Sequence, residues 1–106
     1  MKYRVQIEEP AWRDIDAAYE WLHARVPEYA IRWFNTLEDA ILVGLATNPE
    51  RCVRAPESDE VERDIRQLFH GKRRGRYRVL FEVRGYTVHV LHVRHGARRR
   101  MSRGEF

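Results

Sequence analysis

Residues that could perform chemistry are concentrated in the last third of the chain, and most of them are cations. Arg76, Arg78, His95 and Arg98 share this part of the sequence with a basic run, Lys72-Arg73-Arg74. An arginine stays charged at any ordinary pH, so it could orient a phosphate and stabilise negative charge but could not act as a base. His95 is the natural proton carrier, because histidine titrates near neutral pH. The set predicts either a phosphate-binding site with one acid–base group or a solvated cationic face without catalysis.

Metal and disulfide chemistry are disfavoured by spacing and composition. His89, His92 and His95 recur every three residues, and along a strand that spacing alternates faces, so the three rings would not converge on one ion. Cys52 is the only cysteine, which excludes an internal disulfide and a thiolate cluster. The acidic run Glu57–Glu62 has no partners from other predicted elements and is interpreted as a solvated loop. We therefore expect neither a metal nor a cofactor.

Length and composition favour one small domain. The 106 residues include 20 Lys+Arg and 16 Asp+Glu, with 43% hydrophobic and 34% charged residues. A single domain over residues 1–106 is expected, because a typical domain holds roughly 100–150 residues. No apolar run is long enough to span a bilayer, and Met1–Ile7 lacks the apolar stretch of a secretion signal. The sequence thus predicts a cytoplasmic protein with no membrane partner.

The charge is divided unevenly along the chain. Residues 1–62 hold 7 Lys+Arg and 13 Asp+Glu, a balance of −6, whereas residues 63–106 hold 13 and 3, a balance of +10. Arginine supplies 18 of the 20 cations, and its planar fork suits phosphate and carboxylate groups. A genome rich in G+C would produce the same arginine bias. The asymmetry predicts a polyanionic or acidic partner for the C-terminal half.

The elements that must position these residues begin with a strand and two helices. Tyr3–Ile7 alternates apolar and polar residues, which predicts a strand buried on one face. Pro10 suits the first turn of a helix that ends before Pro27. A second helix is predicted from Glu28 to about Thr47, because apolar residues recur there at helical spacing.

Period-two patterns then predict three strands, Asp64–His70, Arg76–Arg84 and Thr87–Arg94. The segment Glu50–Glu62 has no clear period and is interpreted as a loop. The resulting order is βααβββ. It predicts an α+β fold in which a helical hairpin packs on one face of a largely antiparallel four-stranded sheet.

A two-residue turn at Gly85-Tyr86 would fix the register of the last two strands. Paired residue numbers would then sum to 171, which places Tyr77 opposite Arg94 on the helix-facing side. On the other side, Arg78 would lie opposite Val93 and Arg76 opposite His95. This register gathers Arg76, Arg78 and His95 on the face away from the helices. The tail Arg99–Phe106 is expected to fray.

Three segments of the chain resemble the RelE/ParE toxin superfamily, which includes plasmid-stabilisation proteins. They are the helix opening Pro10–Ile15, the strand Tyr77–Val83 (YRVLFEV) and the end of the last strand, His92–Arg98 (HVRHGAR). The resemblance covers nearly the whole chain. It implies the toxin of a bacterial type II toxin–antitoxin module, neutralised by an antitoxin with an acidic or amphipathic C-terminal segment. It also implies either a homodimer or a toxin–antitoxin hetero-oligomer.

The superfamily contains two activities. RelE-like members cut mRNA on the ribosome without a metal, and ParE-like members inhibit DNA gyrase. Under the first, the resemblance assigns Arg78 and Arg98 to phosphate binding and His95 to acid–base catalysis. Further phosphate or partner contacts are expected from other cations, namely Lys72, Arg73, Arg74, Arg76 and Arg94.

The ending HGAR is more similar to the ParE branch, and the strand Asp64–His70 lacks the lysines expected of the RelE branch. We therefore favour gyrase inhibition, with the ribosome-dependent endonuclease as the alternative. A non-toxic binding module on the same fold is the third hypothesis, because one fold supports more than one function.

Overall fold

A computed structural model describes residues 2–106, and they form helices packed against one five-stranded sheet. The strand order is β1-β5-β4-β3-β2, with β1 parallel to β5 and the other neighbours antiparallel. None of the helices in these residues is long and apolar enough to cross a membrane. The helices are α1 (Glu9–His23), α2 (Pro27–Asp39) and α3 (Glu57–Val61), and the strands are β1 (Arg4–Ile7), β2 (Val53–Arg54), β3 (Ile65–His70), β4 (Tyr77–Arg84) and β5 (Thr87–His95).

The helical hairpin of α1 and α2 is confirmed, with shorter helices than predicted. Pro10 and Pro27 lie in the first turn of each helix, where the missing N–H is harmless. The first helix ends at His23, and the second is followed by a wider π-helical turn, Ala40–Gly44. This turn keeps Ile41 fully buried, so the apolar face continues past the α-helix.

The main core lies between this hairpin and one face of the sheet. Val79, Phe81, Val88 and Val90 are fully buried there and pack with side chains of both helices. Burying one such side chain contributes about 1.5–3 kcal/mol. The predicted helix-facing side of β4 is therefore confirmed.

The other face of the sheet is covered as well, which the sequence did not predict. A second core of Ala55, Ile65, Leu80 and Met101 lies there, between the sheet, α3 and the C-terminal tail. The predicted loop Glu50–Glu62 is wrong, because it contains β2 and α3, and the sheet has five strands rather than four. Elements of two and five residues are too short to show a period. The prediction of a frayed tail is also wrong, since Met101 is buried.

The predicted register of β4 and β5 is correct only near the turn. Gly85 has a φ of 60°, as a two-residue turn requires at its first position. The pairs follow the prediction as far as Phe81 and Val90, where a β-bulge adds one residue, Leu91, to β5. Beyond the bulge the pairs are Leu80 with His92, Val79 with Val93, Arg78 with Arg94, and Tyr77 with His95.

The bulge forms where β5 loses its neighbour. The strand β1 ends at Ile7, and Glu8 makes the last hydrogen bond on that side, from its N–H to the Val90 carbonyl at 2.9 Å. Beyond that point a side chain replaces β1 as the hydrogen-bond partner of β5. The carboxylate of Asp14 in α1 accepts the Val93 N–H at 2.9 Å. An extra residue reverses which face each later side chain occupies.

Candidate functional site

The bulge places the predicted site residues on opposite faces of the sheet. His95 pairs with Tyr77 on the helix-facing side, whereas Arg78 pairs with Arg94 on the outer face. The predicted gathering of Arg76, Arg78 and His95 on one face is therefore wrong. So is the predicted helix-facing position of Arg94, and both errors follow from the extra residue in β5.

On the outer face, Arg78 is held in a buried ion pair. Its Nη1 and Nη2 atoms donate to the two carboxylate oxygens of Glu57 at 2.9 and 2.7 Å, and Nη1 also donates to Gln67 at 3.0 Å. Arg78 is 7% exposed and Glu57 is 0% exposed. Bidentate geometry of this kind is among the strongest that arginine forms.

The same carboxylate ties down the tail, because Glu57 Oε2 accepts the Met101 N–H at 2.9 Å. Burial acts to raise the pKa of Glu57, but the hydrogen bonds from Arg78 and Met101 hold that pKa at about 2. Glu57 is thus a charged structural anchor between α3, β4 and the tail.

Arg94 lies beside Arg78 as its cross-strand neighbour and is 6% exposed. Its guanidinium is 3.6 Å from the carboxylate of Glu105, and its Nε donates to the Arg99 carbonyl at 3.0 Å. Burial and the nearby Arg98 lower the pKa of Arg94. Each of the two arginines therefore has a carboxylate partner, Glu57 for Arg78 and Glu105 for Arg94. We call the two arginines with their two partners the closed arginine pair.

On the helix-facing side, an open cleft of about 700 Å³ lies between α1, the start of α2 and the ends of β4 and β5. Its walls are aromatic: Trp21 is 56% exposed, Tyr29 is 38% exposed, and Tyr77 lies deeper. Arg74 and Arg98 also line it. We call this space the aromatic cleft. It combines apolar surface with the positive charge of Arg74 and Arg98, while one acid, Asp14, also lines it and is hydrogen-bonded to His92 and to the Val93 N–H.

His95 also lines the aromatic cleft, and its ring is fixed. The Ala97 N–H donates to His95 Nδ1 at 3.0 Å, so the ring proton belongs on Nε2. The ring packs edge-on against Tyr77 with centroids 5.1 Å apart. Burial raises the pKa of Tyr77, so its hydroxyl stays protonated near neutral pH. His95 can therefore donate a hydrogen bond to an anionic or carbonyl group.

The loop between β3 and β4 gathers several of the predicted phosphate or partner contacts. Arg73, Arg74 and Arg76 line an open hollow of about 310 Å³ together with Gly96 and Ala97. The Arg76 guanidinium lies 4.0 Å above the ring of Phe69, also part of this hollow. Within residues 2–106, no group of three His, Cys, Asp or Glu side chains could hold a metal ion.

Two kinds of residue at the candidate site were not predicted from the sequence. Glu57 and Glu105 neutralise arginines that are distant in sequence, and no local pattern indicates such pairs. Trp21 and Tyr29 flank the turn between α1 and α2. Their signal was available, because Trp21 departs from the buried stripe of its helix and must face another surface.

Solved structures share this fold, among them two toxin–antitoxin assemblies. One is described as the chromosomal ParDE toxin–antitoxin system from P. aeruginosa, with a TM-score of 0.67 and 19% identity, covering 89% of this chain and 96% of that one. The other is the toxin–antitoxin complex RelBE2 from Mycobacterium tuberculosis, with a TM-score of 0.59 and 21% identity, covering 90% of this chain and 99% of that one. No curated protein matches significantly.

These likenesses define the class of protein as an α+β fold of the ParE/RelE type. The sequence itself goes further, because residues 5–100 match the family described as the ParE toxin of the type II toxin–antitoxin system parDE. The chain belongs to this ParE toxin family.

Proposed function

We propose that this toxin acts by binding a protein target, DNA gyrase, and that a cognate antitoxin holds it inactive. The observation that carries the proposal is the separation of the three residues expected to form a nuclease site. Arg78 is neutralised by Glu57 on the outer face, while His95 lines the aromatic cleft on the other side of the sheet.

Phosphodiester cleavage needs its acid–base group and its phosphate-binding cation around one reacting phosphate. The side chains of Arg78 and His95 point to opposite faces of the sheet, so they do not meet on one phosphate. The buried ion pair also commits three N–H donors of Arg78 to Glu57 and Gln67, and the residue is only 7% exposed, so it offers little to an external phosphate. These observations favour a function other than RNA cleavage.

The aromatic cleft has the properties of a protein-binding site. Protein interfaces are anchored by a few aromatic and arginine side chains, and Trp21, Tyr29 and Arg98 offer both kinds together. The similarity to a structure described as a ParDE system supports the ParE-like target and the antitoxin partner. An antitoxin with an acidic segment would complement the basic C-terminal half.

One observation favours a second candidate, the ribosome-dependent endonuclease. His95, Arg74 and Arg98 line the same cleft, so a phosphate there would have cations and one proton-transfer group. In this alternative Arg98 binds the phosphate and His95 acts as acid or base, without Arg78.

The test uses the purified full chain in two assays, gyrase supercoiling and cleavage of mRNA on ribosomes. The variant Trp21→Ala should weaken gyrase inhibition at least about 10-fold, because truncating an interface anchor removes more than about 1.4 kcal/mol. The matched control is Tyr86→Ala, an equally exposed aromatic at the β4–β5 turn, which should inhibit like the wild type. Codon-phased mRNA cuts with unaffected supercoiling would overturn the gyrase proposal.

The antitoxin proposal has its own test. Expression of the chain alone should stop growth and induce the response to DNA damage, and co-expression of the short protein encoded beside it should restore growth. Unchanged growth on expression of the chain alone would support the non-toxic binding module.

A further inference from the structure

We propose that one end of this protein binds the phosphate backbone of duplex DNA. The surface is formed by the β3–β4 loop and the turn after β5, and we call it the basic end; its cations are Lys72, Arg73, Arg74, Arg76 and Arg98. The inference goes beyond the proposed function, because it concerns direct contact with nucleic acid and does not require gyrase as the target.

Among the described residues, the cations of the basic end are not paired with acidic side chains. Residues 63–106 contain only three acidic side chains, and each one pairs with an arginine outside the basic end. Asp64 pairs with Arg66, and Glu82 pairs with both Arg63 and Arg84. Glu105 pairs with Arg94 and Arg99. Within residues 2–106, no cation of the basic end has a carboxylate within 4.0 Å, so five positive charges are available to an external anion.

The β3–β4 loop and the turn after β5 contact each other closely. The Gly96 N–H donates to the Arg76 carbonyl at 2.8 Å, and a Cβ on Gly96 would lie only 2.9 Å from that oxygen. The β3–β4 loop is itself tight, because Gly71 has a φ of 95° and its position for a Cβ is 2.8 Å from the Gly75 carbonyl. The backbone of loops fixed in this way loses little freedom when their cations bind an anion.

Three arginines of the β3–β4 loop line one hollow. Arg76 is stacked on Phe69 at 4.0 Å, and Arg73 and Arg74 line the same hollow of about 310 Å³. Arginine presents two parallel donors that match the oxygens of a phosphate group. Among the residues described, no acidic side chain lines this hollow, so it favours an anion over a cation.

The chemistry of the surface favours a nucleic-acid backbone over a protein. A protein interface carries an apolar anchor at its centre, whereas a protein–DNA interface is polar and strongly positive. Phe69 is the one aromatic ring that lines the hollow, and the Arg76 guanidinium lies over it. Single-stranded nucleic acid binds on aromatic rings that stack with its bases. Because Arg76 covers Phe69, the hollow offers no free ring on which a base could stack, and this favours a duplex over a single strand as its ligand.

The charge of the remaining surface would orient the complex. The exposed side chains of the helical hairpin include several acids, which repel phosphate: Glu9, Asp16, Glu20, Glu28 and Asp39. Such asymmetry steers one end of the protein toward a polyanion. Binding through phosphates alone is independent of sequence and weakens with salt, with a log–log slope of about −0.9 per phosphate contacted.

The test measures fluorescence anisotropy of a labelled 20-base-pair duplex of random sequence, titrated with the full chain at several salt concentrations. The double variant Arg73→Gln with Arg74→Gln should bind at least about 10-fold more weakly at low salt, and its slope should be shallower by about 2. The matched control, Arg4→Gln with Arg13→Gln, removes the same charge from exposed residues elsewhere and should stay within about 2-fold of the wild type.

Several results would overturn the proposal. Equal losses in the two double variants would show that net charge alone matters, and undetectable binding of the wild type at 50 mM salt would exclude the site. Tighter binding of a single strand, of duplex RNA or of polyglutamate would assign the surface to another partner. Because the assay contains no gyrase, a failure here is distinguishable from a failure of the proposed function.

Discussion

The outer face of the sheet and the aromatic cleft use the same residue type in opposite ways. On the outer face, Arg78 and Arg94 are buried, and Glu57 and Glu105 neutralise them. At the basic end, by contrast, Arg74, Arg76 and Arg98 are exposed, and none of them has a carboxylate within 4.0 Å among residues 2–106. A count of cations therefore does not locate a binding surface. The deciding quantity is which cations are already paired inside the fold.

The two regions also differ in what holds them together. The closed arginine pair joins α3, β4, β5 and the tail, so its loss should affect the whole fold. The aromatic cleft contributes exposed side chains, so changes there should affect binding more than stability. Variants in the two regions test this distinction.

The largest effect is expected for Glu57→Gln. This change leaves the buried Arg78 guanidinium without its counter-charge, and breaking one partner of a buried pair costs about 3–5 kcal/mol. Urea denaturation followed by circular dichroism would measure the free energy of unfolding. The control is Glu60→Gln on the same helix, which changes an exposed residue and should cost less than about 0.5 kcal/mol. A similar small cost for both variants would contradict a closed, buried pair.

A slightly smaller effect is expected from acid. The pKa of Glu57 is about 2 in the folded chain and 4.5 ordinarily, so the unfolded chain binds the proton more tightly. The stabilisation is fully present above pH 4.5 and is lost as the pH falls toward 2. It amounts to about 3 kcal/mol, because one pKa unit corresponds to about 1.4 kcal/mol.

Urea titrations of the wild type at pH 6 and pH 3 would measure about 2 kcal/mol of this loss, because pH 3 still lies above the pKa of Glu57 in the folded chain. The variant Glu57→Gln lacks the titrating group, so its stability should fall less between the two pH values. Equal losses in both proteins would assign the acid sensitivity to other carboxylates.

An intermediate effect is expected where the two loops of the basic end meet. In Gly96→Ala the added Cβ would lie 2.9 Å from the Arg76 carbonyl, and such overpacking costs about 1–3 kcal/mol. Gly104→Ala is the control, because no heavy atom lies within 4 Å of its Cβ position. Thermal denaturation of the two variants would compare them. If both were as stable as the wild type, the contact between the loops would be looser than described.

The smallest effect is expected for an exposed ion pair. Glu9 and Arg13 pair one turn apart on α1 with exposed side chains, and such pairs contribute about 0.3–0.5 kcal/mol. Glu9→Gln should therefore change the midpoint of urea denaturation only slightly, and 1 M salt should remove the difference. A loss of stability as large as that of Glu57→Gln would show that exposed and buried ion pairs contribute equally to this fold.

Much of this fold could be predicted from local pattern. Pro10 and Pro27 mark the starts of α1 and α2, and Gly85 marks the turn between β4 and β5. These features depend on neighbouring residues, which the sequence displays directly.

The site was harder to predict because one residue changes its geometry. Helix-facing apolar residues of β5 are Val88, Val90 and Val93, so a spacing of two is followed by a spacing of three. That break in spacing indicates the bulge at Leu91. The register predicted from the turn assumed that β5 contains no extra residue. The pairing of Glu57 with Arg78 spans 21 residues of sequence and has no local signal at all.

We expect Arg78 to support the fold and the aromatic cleft to bind the proposed target. The most direct test removes both buried charges, with Arg78→Met and Glu57→Gln in one chain, because no unpaired charge is left and the glutamine oxygen can still accept the Met101 N–H. We expect this folded variant to inhibit gyrase supercoiling at the concentration of the wild type. Loss of inhibition by the folded variant would contradict the account, because it would assign Arg78 a direct role in activity.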